Sequence, residues 1–438
     1  MFKVVKFGGS SLASADLFKQ VAEIIQSDKD RKVVVVSAPG RSNPNDSKTT
    51  DLLIKISENV LSGKAYSKEF DEIKERLINL EKELDPKTPV ANLMTSELQK
   101  RIKKREKNAI IALGEEFSAR LLADYLEGSV YLDPKDANFL IDETPYGKRY
   151  VPKSSFFSIR QVFNKLKDKI VIFPGFFGID SRGRIRVLQR GGSDYTASIL
   201  SVILNADLHE NFTDVDGISV VEPDILPDTE KIRFMSLYEL SELTLDGSFG
   251  VFQDFAVAPL ARNKIQIHVL STKLPKGEGT RIVETLPNNL PKIRGIACKK
   301  DFVIFDIFKY GLDQEIGLKL ELEKIFANHK LSVGRVPSSL NSMSIILSCK
   351  LDLSTLSQEI KDAVKPDELR VINDVALVSV VGEELEKTKG VGMRILKSIS
   401  DHDINILKAM FDGINFVCVI PNNEAKKAVK AIYEEFFA

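Results

Sequence analysis

Through the first three hundred residues, short runs of Val and Ile alternate with stretches whose apolar positions recur every three or four residues, the pattern of a sheet joined by crossover helices. Val33-Val34-Val35-Val36 and Ile170-Val171-Ile172-Phe173 are apolar at every position, as strands covered on both faces must be. Between them, residues 58–108 carry Phe70, Ile73, Leu77 and Leu80 at helical spacing amid many Lys and Glu, which predicts a helical insertion. Glu284-Thr285-Leu286-Pro287-Asn288-Asn289-Leu290-Pro291 has the composition of a linker. Beyond it, strand-like segments at 303–307, 343–347, 375–381 and 416–420 flank helix-like segments at 317–328, 392–402 and 423–436. They divide into two β-α-β-β-α-β units of about 70 residues, with little residue identity between them. The expected architecture is α/β: a three-layer sandwich around a mainly parallel sheet over residues 1–285, then ferredoxin-like modules at 296–372 and 373–438.

Composition narrows the function classes. A chain of 438 residues exceeds one core at roughly 100–200 residues per domain. Lys plus Arg number 62 and Asp plus Glu number 62, so no whole-protein field favours a polyanion, and nucleic acid is not an expected partner. No apolar run approaches the ~20 residues that span a bilayer, so a membrane is not expected either. Met1-Phe2-Lys3-Val4-Val5-Lys6 enters strand-like sequence directly, without the apolar core of a signal peptide, and a cytoplasmic location is expected. Cys298, Cys349 and Cys418 are too widely spaced for a zinc site or a disulfide framework and read as buried thiols.

Two turns carry candidate chemistry. Lys6-Phe7-Gly8-Gly9-Ser10-Ser11 leaves a strand, turns on two glycines, and enters a helix through Ser residues suited to capping it. Glycines let the backbone approach a ligand, and free amides at a helix start favour phosphate. An ordinary β-α turn with a solvated lysine remains the alternative, since this is not the P-loop pattern. Gln189-Arg190-Gly191-Gly192-Ser193-Asp194-Tyr195-Thr196-Ala197 is a second turn of the same kind. Arg190 offers a planar fork to a carboxylate or phosphate, and Asp194 could position a lysine or a metal-bound water; a surface ion pair with a helix cap is the alternative. Thr213-Asp214-Val215-Asp216-Gly217 suggests a strand ending in a turn, and Glu115 would also suit the helix dipole alone. His209, His268, His329 and His402 are scattered without ligand spacing.

Taken together, Lys6-Phe7-Gly8-Gly9-Ser10-Ser11, Gly114-Glu115, the Arg190 to Ala197 segment and Thr213 to Gly217 resemble the aspartate kinases of the amino acid kinase family, in order and spacing from end to end. The two C-terminal units resemble the paired ACT modules of that group. The resemblance implies transfer of the ATP γ-phosphoryl group to the β-carboxylate of L-aspartate, with Mg²⁺ held largely by ATP oxygens and water and no metal bound by the protein itself. Lys6 would neutralise the moving phosphoryl group, with Gly8, Gly9 and Ser10 around the phosphates. Asp194 would hold Lys6 and magnesium-bound waters. Arg190 would meet the substrate α-carboxylate and Glu115 its ammonium, while Gly191, Gly192 and Ser193, with Ser37 and Thr50, complete the cradle. Thr213 and Asp214 would contact the nucleotide, with Ser219 close behind them. Here the chain departs from the group: Ser219 and Asp224 stand where many members have Tyr and Arg, and Gly250-Val251-Phe252-Gln253-Asp254 replaces a Lys-Val-Leu-His-Pro segment.

The resemblance also implies feedback control of an amino-acid pathway by lysine, threonine or both, and a homodimer formed through the ACT modules. Ser338, Ser339 and Asn341 would contact the effector, a polar turn before a strand being the alternative. The first ACT module is expected to be inserted within the second, so that the strand at 303–307 pairs with the C-terminal unit, interleaving 296–310 with it. Competing expectations are another amino acid kinase on the same sheet, or a non-catalytic amino-acid sensor.

Overall fold

The computed structural model describes residues 1–41, 43, 46–245, 254–348 and 353–438, with the side chains of Leu245 and Asp254 left aside. Residues 250–253 of the variant segment and Cys349 lie outside the described residues. The chain divides into two units, one of residues 1–218, 231–241 and 254–288, the other of residues 219–230, 242–245 and 289–438.

The first unit opens with β1 (Lys3–Phe7), α1 (Ala15–Gln26) and β2 (Arg31–Val36). Helices α2 (Thr49–Ser62), α3 (Ser67–Leu84), α4 (Val90–Lys103), α5 (Lys107–Ile111) and α6 (Leu113–Tyr125) follow. The helical run thus starts earlier than residue 58, because Leu52, Leu53 and Ile56 carry the buried stripe back to Thr49. Next come β3 (Ser129–Tyr131), a small hairpin of β4 (Asp142–Glu143) and β5 (Arg149–Tyr150), α7 (Phe156–Lys165) and β6 (Ile170–Pro174). A hairpin of β7 (Phe177–Ile179) and β8 (Ile185–Val187) leads into α8 (Gly192–Ile203) and β9 (Leu208–Thr213).

Eight strands make the main sheet, in the order Phe234–Ser236, Thr280–Val283, Gln266–Ser271, β9, β1, β2, β6, β3. Pairing is parallel except between Gln266–Ser271 and Thr280–Val283. Alternation along the strands sorts the core into two layers. Val5, Phe7, Val34 and Val36 pack with α1, α2, α4 and α6 on one face, and Val4, Val33, Val35 and Phe173 pack with α7 and α8 on the other. Lys6, two positions beyond Val4, therefore faces α8.

The second unit is built on a five-stranded antiparallel sheet, ordered Ser342–Ser348, Gly295–Phe308, Glu368–Val381, Asn415–Pro421, Lys408–Asp412. Helices Leu318–Asn328 and Leu353–Val364 cover Val303, Phe305, Ile307, Met343 and Ile345. The two long strands shift register between Lys299 and Phe302, where Asp301 takes a left-handed φ of 65° and Asp374 one of 55°. This irregularity corrects one expectation. Residues 295–299 pair with 377–381, the C-terminal half of Glu368–Val381, whereas 303–307 pair with 343–347 and, from Ile304 to Ile307, with 369–372.

Candidate active site

The carboxyl ends of β1, β2 and β9 open into a cleft of about 1080 Å³, the edge at which parallel sheets of this kind bind ligands. Every residue lining it belongs to the first unit. Lys6, Gly8, Gly9, Ser10, Ser37, Thr50, Glu115, Arg190, Gly191, Gly192, Ser193, Asp194, Thr213 and Asp214 all line it. Ser219 does not; it is a buried residue of the second unit.

Lys6 reaches across from β1 to the first turn of α8, where its Nζ lies 2.7 Å from Asp194 Oδ1, both side chains being largely buried. A short charge-assisted contact of this kind fixes a cation at the cleft wall without removing it from reach of a ligand. His209 on β9 is fully buried, with Nδ1 3.0 Å from Ser201 Oγ on α8. Burial, and after it the positive charge of Lys6, push its ring down to about 3, so it is neutral at neutral pH.

The glycines are required by close approach. The Gly40 N–H donates to the Gly9 carbonyl at 2.8 Å, and a Cβ on Gly40 would lie 2.4 Å from that oxygen. A Cβ on Gly175 would stand 2.6 Å from the Ser193 Cβ, so the chain after β6 can pass Ser193 only without one. Gly191 adopts φ 81° as it starts α8, the left-handed region where glycine has no Cβ penalty. At the first turn the expected capping differs in detail. A short 3₁₀ turn, Gly9–Leu12, precedes α1, and Ser14 rather than Ser10 or Ser11 accepts the Leu17 N–H. Ser11 Oγ instead lies 2.7 Å from Thr272 Oγ1, tying the glycine turn to the loop that carries Lys273.

Glu115, in the first turn of α6, is buried, and its Oε2 has no hydrogen-bond partner. Burial pushes its carboxyl up to about 8, against the opposing pull of its own and the Ala38 backbone amides. Such an acid in a cleft wall is suited to meeting a cationic group on a ligand. Arg190, by contrast, is exposed at the cleft. Sequence reasoning missed Arg41, Lys48 and Lys273, which add cations to the lining. They stand in loops with no motif of their own, and only the sheet brings these loops together. Among the described residues, no group of three or more His, Cys, Asp or Glu is placed to hold a metal ion.

In the second unit, Ser338 and Ser339 are exposed in the turn before Ser342–Ser348. Ser339 Oγ lies 2.7 Å from Ser342 Oγ. Asn341 is engaged on both sides: its Oδ1 accepts the Gly311 N–H and its carbonyl the Lys309 N–H, each at 2.8 Å.

The amino acid kinase family model matches residues 1–271, and an ACT domain model matches 378–436. Aspartokinase 3 of Bacillus subtilis is 34% identical over 454 residues, covering 100% of this chain and 99% of its own. Lysine-sensitive aspartokinase 3 of Escherichia coli is 24% identical, with 99% of each chain covered. Among solved structures, Clostridium acetobutylicum aspartate kinase superposes with a TM-score of 0.85 at 32% identity, covering 99% of this chain and 100% of its own. The chain belongs to the amino acid kinase family. Within that family it stands with the aspartokinases, and it matches those of Bacillus subtilis and Clostridium acetobutylicum over nearly their whole length.

Proposed function

We infer that the chain is an ATP-dependent aspartate kinase, which phosphorylates the β-carboxylate of L-aspartate to 4-phospho-L-aspartate and answers to an amino acid through its ACT region. Full-length likeness to aspartokinases supports this, and the single observation carrying it in the cleft is the pairing of Lys6 with Asp194 beside two glycine turns. An aspartate side chain with a pKa near ~3.9 is already ionised at neutral pH, so the nucleophile needs no general base. A buried, neutral His209 is consistent with that chemistry. What remains for the protein is alignment and positive charge around the phosphoryl oxygens.

In this reading Lys6 follows the charge of the transferring group, and Asp194 keeps it aimed. The amides of Gly8, Gly9 and Ser10 receive the phosphates, and Lys273 adds a cation from the Thr272 loop. Arg190 takes the α-carboxylate of aspartate and Glu115 its ammonium, with Ser37, Thr50 and the Gly191 to Ser193 turn closing the cradle. Thr213 and Asp214 meet the nucleotide. Bound Mg²⁺ supplies neutralisation of the phosphate charge, with Asp194 and Asp214 as the carboxylates that would face its waters. Ser338 and Ser339 remain proposed effector contacts, while Asn341 would shape their turn. A first ACT-like module at 296–372 beside the one at 373–438, a homodimer and a cytoplasmic setting belong to the same proposal.

A coupled ADP-release assay tests the reading. L-aspartate should support turnover and L-glutamate should not, while Lys6→Ala should lower kcat by about 10²- to 10³-fold with aspartate binding retained, because Lys6 acts on charge developed in the transition state. No turnover with aspartate, or a Lys6→Ala enzyme at full kcat, overturns it.

A further inference from the structure

The helix α2 enters the cleft without a cap of its own. Lys48, the residue before it, provides no capping side chain, yet Thr50 in its first turn must stand accurately in the cleft lining. What holds this entry comes from α3, a helix that contributes no residue to the cleft. Arg76, on α3, lays a side chain only 8% exposed against the segment. One of its nitrogens, Nη1, donates to the Ser47 carbonyl at 2.8 Å and to Thr49 Oγ1 at 3.0 Å, while Nη2 donates to Asp46 Oδ1. The fork geometry of arginine lets one side chain take these three acceptors at once, which a lysine cannot reproduce.

Thr49 links this clamp to the opposite cleft wall. It is fully buried, and a Cβ on Gly114 would lie 3.2 Å from its Cγ2, so Thr49 packs against the residue preceding Glu115. Moving residues 46–49 would therefore shift Thr50 directly and disturb the packing beneath Glu115. Among the described residues, Arg76 makes no hydrogen bond or ion pair to β1 or α8.

We propose that Arg76 is a positioning residue for the aspartate half of the cleft, acting through Ser47 and Thr49 on Thr50 and Glu115. This rests on the aspartate kinase reading for its kinetic consequence, but not for its structural one. Displacement of substrate-positioning groups by a mutation remote from the chemistry carries large kinetic effects. Arg76→Met, which keeps length and removes the fork, should raise KM for aspartate by about tenfold while KM for ATP stays within about twofold. Arg76→Lys should recover part of that loss, and Thr49→Val, which deletes only one acceptor, should show a smaller shift in the same direction.

Amide hydrogen exchange, read without any substrate, should show residues 46–53 opening at least tenfold faster in Arg76→Met than in the wild type, with β1 and α8 unchanged. If Arg76→Met does not fold, Thr49→Val and Arg76→Lys carry the same comparison. Unaltered exchange at 46–53, or equal rises in both KM values, overturns the proposal. Failure of the wild type to use aspartate would instead overturn the functional reading, and exchange alone would then decide the role of Arg76.

Discussion

Glu115 sits in the cleft wall with its carboxyl pushed up to about 8 by burial, and its Oε2 has no partner. Such a group is mostly protonated at pH 7, yet the proposed partner, an ammonium, requires it ionised. Aspartate binding should therefore expel a proton, and KM for aspartate should fall about tenfold per pH unit from pH 6 to about 8 before levelling. Stability has the opposite sign in the free enzyme. A carboxyl whose folded pKa lies above its unfolded value binds more protons when folded, so its contribution is full below about 4.5 and is lost as pH rises through about 8. Calorimetric titration with aspartate in two buffers of different ionisation enthalpy measures the proton count, and zero release at pH 7 would sink this reading of Glu115. In the sequence, Gly114-Glu115 is indistinguishable from acids placed for the helix dipole. Its distinctive chemistry arises only when α6 is buried beside Ala38.

The glycine turns were legible as elements because both follow strand-like runs and precede helical patterns, and local conformation explains both. Their demand for glycine is partly tertiary: Gly40 is needed because the chain after β2 crosses the Gly9 carbonyl. The same limit explains why Arg41, Lys48, Lys273 and Arg76 escaped notice, since each gains meaning from a chain segment remote in sequence. It also explains the longer helical run, because Leu52, Leu53 and Ile56 read equally well as part of the loop after β2 until α3 packs on them. Gly114 gives a prediction at this scale. A Cβ there would stand 2.7 Å from the Ala38 Cβ and 3.2 Å from Thr49 Cγ2, so α6 and the segments after β2 would have to part. Gly114→Ala should cost roughly 1–3 kcal/mol of stability by overpacking and raise KM for aspartate more than KM for ATP. Thermal melts and initial-rate kinetics check it, and an Ala variant with native melting and native aspartate KM would show that the two walls are not held in register by this contact.

Regulation concerns the whole molecule. No helix among the described residues is long and apolar enough to cross a membrane, and the ACT match at 378–436 directs attention to amino acids as signals. The two long strands of the second unit keep one continuous pairing but change register at Asp301 and Asp374, which is why the sequence suggested two units and yet misassigned the strand at 303–307. An effector bound at the exposed Ser338 and Ser339 turn lowers activity only if it prefers a less active state of the molecule, since equal affinity for both states shifts nothing. Taking a population from nine-tenths active to one-tenth active needs about an 80-fold preference. Millimolar lysine, alone or with threonine, should therefore reduce turnover substantially. Ser339 lies 2.7 Å from Ser342 through their hydroxyls, so Ser339→Phe both removes that bond and fills the turn, and it should relieve the inhibition. Activity measured across lysine and threonine, for wild type and variant, decides the matter. Inhibition that survives Ser339→Phe unchanged would move the effector away from this turn, because the variant removes one of the two hydroxyls proposed to hold it and the contact to Ser342 with it.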